Sequence, residues 1–100
     1  MRKQRKFEKR SNIPFALGNG EIHYELWIDE AGNITRYNLA YINHRLFTKD
    51  NGRVVGYDNA HGSPHRHIMG TTEPVDLEDF SDIEACFIRD WQAIVEGSRK

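Results

Sequence analysis

The sequence predicts an α+β fold, a three- or four-stranded antiparallel sheet with a C-terminal helix packed on one face. Three observations predict it. Between residues 21 and 28 the chain alternates, with Ile22, Tyr24, Leu26 and Ile28 on one face and Glu21, His23, Glu25 and Trp27 on the other, as in a half-buried strand. Two turn signals, residues 29–33 and Asn51-Gly52, divide the middle of the chain into antiparallel hairpins. Finally, Phe80, Ile83, Phe87, Trp91, Ile94 and Val95 recur at helical spacing, and such an apolar stripe must cover a sheet.

Taken in order, residues 1–12 read as a basic, weakly structured arm, because Phe7 is the one large apolar residue among the six cations of Arg2 to Arg10. Residues 13–100 read as a single domain. Residues 12–17 are apolar enough to pack, Pro14 argues against helix there, and residues 18–20 make a turn. After the first strand and its hairpin, a second strand from 34 to about 48 carries Tyr37, Leu39, Tyr41, Leu46 and Phe47. That is long for a small domain, so a bulge or bend is expected near residues 43–44. The third strand, 53–58, pairs with the second, and a short extended piece is expected at 75–77. Ser81 and Glu84 have the spacing of a capping box at the helix start, and Gly97 suits its end.

One hundred residues support one modest core, and 38% hydrophobic with 29% charged residues is the balance of a globular chain. No apolar run approaches the roughly 20 residues that span a bilayer, and the basic N-terminus lacks the apolar segment of a secretory signal. The expected location is therefore cytoplasmic, without membrane contact. The single cysteine, Cys86, excludes an internal disulfide and a multi-cysteine zinc site, and reads as a small packing residue. The formal net charge of −1 hides an asymmetry: the first ten residues set six cations against Glu8, a formal +5, which leaves −6 for the remainder. Arg2, Lys3, Arg5, Lys6, Lys9 and Arg10 are thus candidate contacts for RNA or DNA phosphates, and a solvated arm is the plain alternative.

Chemistry-bearing residues concentrate in 56–67, where Tyr57, Asp58, His61, His65, Arg66 and His67 lie in a stretch broken by glycine and proline. Cutting RNA through its own 2′-hydroxyl needs a base, an acid and a positive charge for the phosphorane. Histidine suits both proton transfers, and arginine can hold a phosphate through paired hydrogen bonds. In an extended segment His65 and His67 share one face and Arg66 takes the other, so the three converge only if the segment turns. A metal site is the second reading, with His65, His67 and either His61 or Asp58 as ligands, although the intervening Arg66 would repel a cation. Against both stands a polar loop in which Asp58 and Asn59 merely pin a turn, the reading that the pattern of residues favours when taken alone. His23 and His44, on the strands, read as ordinary surface or packed histidines.

The order of pieces also carries a resemblance. Residues 55–59 (Val-Gly-Tyr-Asp-Asn), 61–64 (His-Gly-Ser-Pro), His65-Arg66-His67, Glu73-Pro74 and an amphipathic helix over 79–97 resemble the second half of the TumE-like family of small toxin–antitoxin proteins. The resemblance implies the toxin of a two-protein module, partnered by a cognate antitoxin with a DNA-binding helix-turn-helix. Joined to the loop chemistry, it gives the first expectation, a metal-independent endoribonuclease acting on RNA without a cofactor. The alternatives are a non-enzymatic protein- or nucleic-acid-interaction module and a metal-dependent hydrolase. No glycine-rich phosphate loop points to nucleotide-dependent phosphoryl transfer, and no helix-turn-helix makes this chain the DNA reader.

Overall fold

The computed structural model describes residues 4–60 and 62–98. Six strands, β1 (Arg5–Asn12), β2 (Glu21–Ile28), β3 (Ile34–Ile42), β4 (Arg53–Asp58), β5 (His65–Ile68) and β6 (Thr71–Pro74), precede one helix, α1 (Phe80–Ser98). The strands form one sheet in the order β1-β2-β3-β4-β5-β6, each antiparallel to its neighbour. The α+β class and the C-terminal helix are as expected, but the sheet has six strands rather than three or four.

The core lies where α1 crosses β3 and β4. Tyr37, Leu39 and Tyr41 from β3 and Val54, Val55 and Tyr57 from β4 are buried against Ile83, Phe87 and Val95 of the helix. Tyr24 and Tyr57 set their ring edges against Phe87, and Tyr37 does the same against Phe80. Burying each of the largest of these side chains stabilises the fold by about 1.5–3 kcal/mol. Six strands at about 4.8 Å spacing make a sheet wider than the roughly 10 Å of one helix. The helix therefore lies over β3 and β4, reaches β2 at Tyr24 through Phe87 and Glu84, and leaves the same face of β1 and the outer flank of β2 less covered. No helix among the described residues is long and apolar enough to cross a membrane.

Several boundaries differ from the sequence expectation, each for a local reason. β3 stops at Ile42 rather than near residue 48. The buried Asn43 ends it: its Oδ1 accepts from Arg45 N at 3.0 Å, its Nδ2 donates to the Tyr41 hydroxyl at 3.0 Å, and its carbonyl accepts from Leu46 N and Phe47 N. The irregularity lies between Tyr41 and Ile42, which face Val55 and Arg53 respectively. Asn51 and Gly52 do make the β3–β4 connection, both at positive φ (55° and 80°). The extended piece lies at Thr71–Pro74, earlier than 75–77, because β5 and β6 close a tight hairpin through Met69 and Gly70 at φ 44° and 82°. α1 starts at Phe80, one residue before the expected cap Ser81, with the Asp79 carbonyl accepting from Ile83 N, and it runs through Gly97 to Ser98.

The largest departure is the basic segment. Residues 5–12 are not a weakly structured arm but an edge strand, fully paired with β2 from Arg5↔Ile28 to Asn12↔Glu21. With so little apolar content it is held by backbone hydrogen bonds and cross-strand charge. Lys6 Nζ lies 2.9 Å from Glu25 Oε2, Arg10 Nε donates to His23 Nε2 at 3.1 Å, and Arg10 also lies 3.9 Å from Glu21. Trp27 adds its ring face to Lys6 and to Arg36. The hydrogen bond from Lys6 is the main cause that holds the Glu25 carboxyl below the usual glutamate range, against the upward pull of partial burial. A lowered folded value contributes stability that is complete above the unfolded glutamate pKa and is lost as pH falls through the folded one. The urea midpoint of the parent should therefore exceed that of Glu25→Gln near neutrality, and the gap should close on acidification below about pH 4.

Candidate functional site

The His-Arg-His segment does not turn; it is strand β5. Its register with β4, His65↔Asp58, Arg66↔Tyr57 and His67↔Gly56, sorts the candidate residues onto two faces of the sheet. Tyr57 and Arg66 face α1, while Asp58, His65 and His67 occupy the opposite, open face. The structure thus brings together two histidines and an aspartate, and it places the arginine between them on the other side. His61, Arg2 and Lys3 lie outside the described residues.

On the helix side Arg66 is bound on two sides by carboxylates. Its Nε donates to Asp90 Oδ2 of α1 at 3.0 Å and its Nη1 to Glu73 Oε1 of β6 at 2.8 Å. The same Asp90 oxygen accepts the Tyr57 hydroxyl at 2.5 Å. The hydrogen bond to Glu73 raises the already high guanidinium pKa, and burial followed by the bond to Asp90 pushes the Tyr57 phenol well above its usual value. This is a clasp between the sheet and the helix, with Tyr57 fixed as a proton donor.

The open-face cluster is differently built. His67 Nε2 lies 2.5 Å from Asp58 Oδ2 and its Nδ1 lies 3.1 Å from Thr72 Oγ1, so both ring nitrogens are held. An ionised Asp58 only accepts, which places a proton on Nε2 and leaves Nδ1 to accept from Thr72 or, when the ring is charged, to donate. His65 Nδ1 lies 2.9 Å from the Ser63 carbonyl, which also only accepts. The neutral His65 ring therefore carries its proton on Nδ1 and presents the Nε2 lone pair. Arg53 supplies the nearby positive charge: Nε donates to Asp50 Oδ2 at 2.8 Å, and Nη1 lies 3.8 Å from Asp58 Oδ2. Gly56 makes room for it, since a Cβ there would sit 2.9 Å from Arg53 Cδ and 2.7 Å from the Leu39 carbonyl oxygen. Asn59 fixes the cluster's other end, accepting from Tyr37 N and donating to the Thr35 carbonyl, while Asp58 Oδ1 accepts from Ala60 N. The Asp58-Asn59 pinning anticipated from sequence is present alongside the histidine cluster.

Arg53 and Thr72 are the members of this cluster that sequence reasoning missed. Arg53 had a weak signal, its position at a strand start after Asn-Gly, but only the bulge opposite Tyr41 and Ile42 turns it towards Asp58. Thr72 was hidden because β6 itself was. Among the described residues no group of three or more His, Cys, Asp and Glu side chains is placed to hold a metal ion. Of the basic N-terminal residues, Lys6 and Arg10 face the open side and are paired with Glu25 and Glu21, whereas Arg5 and Lys9 face the helix side.

No protein-family model matches the chain, and comparison with curated proteins and with solved structures returns no match.

The clasp predicts that Arg66→Lys lowers unfolding stability by about 1–3 kcal/mol, because an ammonium cannot reach Asp90 and Glu73 at once. The loss should shrink in an Asp90→Ala background, and a four-protein cycle of urea melts reads that coupling. Additive losses would mean that Arg66 and Asp90 act separately.

Proposed function

We propose that the protein is the toxin of a toxin–antitoxin module and that it cleaves RNA without a metal, using the open face of the sheet around His65 and His67. The observation that supports this most is the pair of imidazoles on one face. One has a lone pair free at Nε2, and the other is held between a carboxylate and a hydroxyl. In the proposed reaction His65 Nε2 takes the proton of the ribose 2′-hydroxyl, whose oxygen attacks the adjacent phosphorus. The P–O5′ bond breaks, and the departing oxygen receives the Nδ1 proton of a doubly protonated His67, the Thr72 hydroxyl turning aside to free that N–H while Asp58 holds the ring through Nε2. Arg53 offers the fixed charge for the phosphorane, the role that Arg66 was expected to fill.

The cognate antitoxin, a helix-turn-helix protein by the motif resemblance, belongs to the same proposal. One observation favours the reading of a non-enzymatic interaction module: on the open face Lys6, Arg10 and Arg53 are all engaged by carboxylates, which reduces the field available to attract phosphates. The metal-dependent hydrolase is separated from both by its response to chelator.

Purified protein is expected to cut single-stranded RNA in excess chelator, to leave 2′,3′-cyclic phosphate ends and to spare DNA. His65→Ala and His67→Ala should each lower the rate by about 100-fold or more while the circular dichroism spectrum is kept. Cleavage lost with chelator and restored by zinc or manganese selects the metal reading. Absence of cleavage under both conditions removes the catalytic reading in favour of the interaction module.

A further inference from the structure

The helix-side surface of β1 and β2 forms a groove that the described residues leave open. The geometry points to it as the docking site for an amphipathic helix of a partner protein, carrying an acidic flank. This inference is independent of the open-face chemistry. The groove has a volume of about 980 Å³ and runs between the two strands and α1. Its floor is apolar, with Ile22 and Tyr24 from β2 and Ile13 and Leu17 from the connection between β1 and β2. Its wall is a single stripe of α1, from Glu84 through Ile88 and Trp91 to Val95. Those positions succeed one another by three to four residues, so the wall extends about 16–18 Å at 1.5 Å per residue, the length of three helical turns.

Dimensions favour a helix as the occupant. Two strand spacings, those of β1 and β2, are about 10 Å across, with Tyr24 and Glu84 closing the floor on the α1 side, and a second helix packs with its axis 8–10 Å from the first. An extended segment lying on a sheet face finds no backbone partners there, whereas a helix satisfies its own. Charge selects the flank. Lys9 lines the groove on the β1 side, in the same row as Arg5; among the described residues the ion pairs of β1 involve Lys6, Glu8 and Arg10 and neither of these two. On the α1 side Glu84 accepts the Tyr24 hydroxyl at 2.8 Å, so carboxylates on the incoming helix are favoured along β1 and disfavoured along α1. The helix of a second copy does not fit, because its exposed positions, which include Asp82, Ala85, Arg89, Gln92, Ala93 and Glu96, make no apolar stripe.

The test is selection from a displayed library of amphipathic helices of about 14 residues, with both flanks randomised between Glu and Lys, against the full chain. Enriched sequences should carry Glu on one flank only, perturb the amide resonances of Ile22 and Ile88, and lose about tenfold or more in affinity to Lys9→Glu. Used as bait, Lys9→Glu should enrich Lys on that flank instead; the residue is exposed, so the core is spared. Failure to enrich any helix, enrichment without flank preference, or binders indifferent to Lys9→Glu would each overturn the inference. So would sedimentation showing a homodimer that Lys9→Glu dissolves, since the occupant would then be a second copy.

Discussion

Much of this molecule depends on one carboxylate oxygen, Asp90 Oδ2, which accepts from the Tyr57 hydroxyl and from Arg66 Nε. It ties β4 and β5 to the middle of α1, and through the second arm of Arg66 it reaches Glu73 on β6. Because side chains alternate along a strand, fixing Arg66 towards the helix fixes His65 and His67 away from it. The anchor of the helix and the exposure of the histidines are thus one constraint seen from two sides. A one-residue slip of β5 would send both imidazoles into the core and bring the arginine out, an exchange that burial of unpaired polar rings would oppose.

The sheet therefore separates two kinds of surface. Its open face is polar and densely paired, with Lys6 on Glu25, Asn38 Nδ2 on Glu25, Arg53 on Asp50, and His67 between Asp58 and Thr72. Its helix side is mainly apolar apart from the Arg66 clasp, filled over β3 and β4, reached at Tyr24 of β2 and open over β1. A reaction that moves protons belongs on the first surface, where donors and acceptors are already oriented. Recognition by shape and buried area belongs on the second. Neither surface requires the other to change, because the core between them is packed from both strands and helix.

What could be read from the sequence was what local pattern controls. β2 and β4 came from alternation and from the Asn-Gly turn, and the stripe of α1 came from its period. β1 was invisible because an edge strand needs only backbone partners and some complementary charge, and its partners Glu21 and Glu25 come from the next strand. β5 and β6 were obscured because four-residue strands beside Gly62, Pro64, Gly70 and Pro74 look like loop. The site was half legible: residue types and the facing rule for His65, Arg66 and His67 were available, and the rule itself implied that they separate if the segment is extended. The substitution of Arg53 for Arg66 beside the histidines was not available, since it arises from a bulge set by pairing across two strands.

The two rims of the sheet differ in how they end it. β1 presents Arg5, Lys6, Lys9 and Arg10 along its outer backbone, so two such rims brought side by side meet like charge on like. β6 is only four residues long and closes on Pro74, which has no N–H to offer a further strand. Rim-to-rim growth is therefore opposed at one margin by repulsion and at the other by a missing donor. A sheet this wide and this regular, with so little helix over it, would otherwise offer two open templates for further strands; here both margins disfavour the addition.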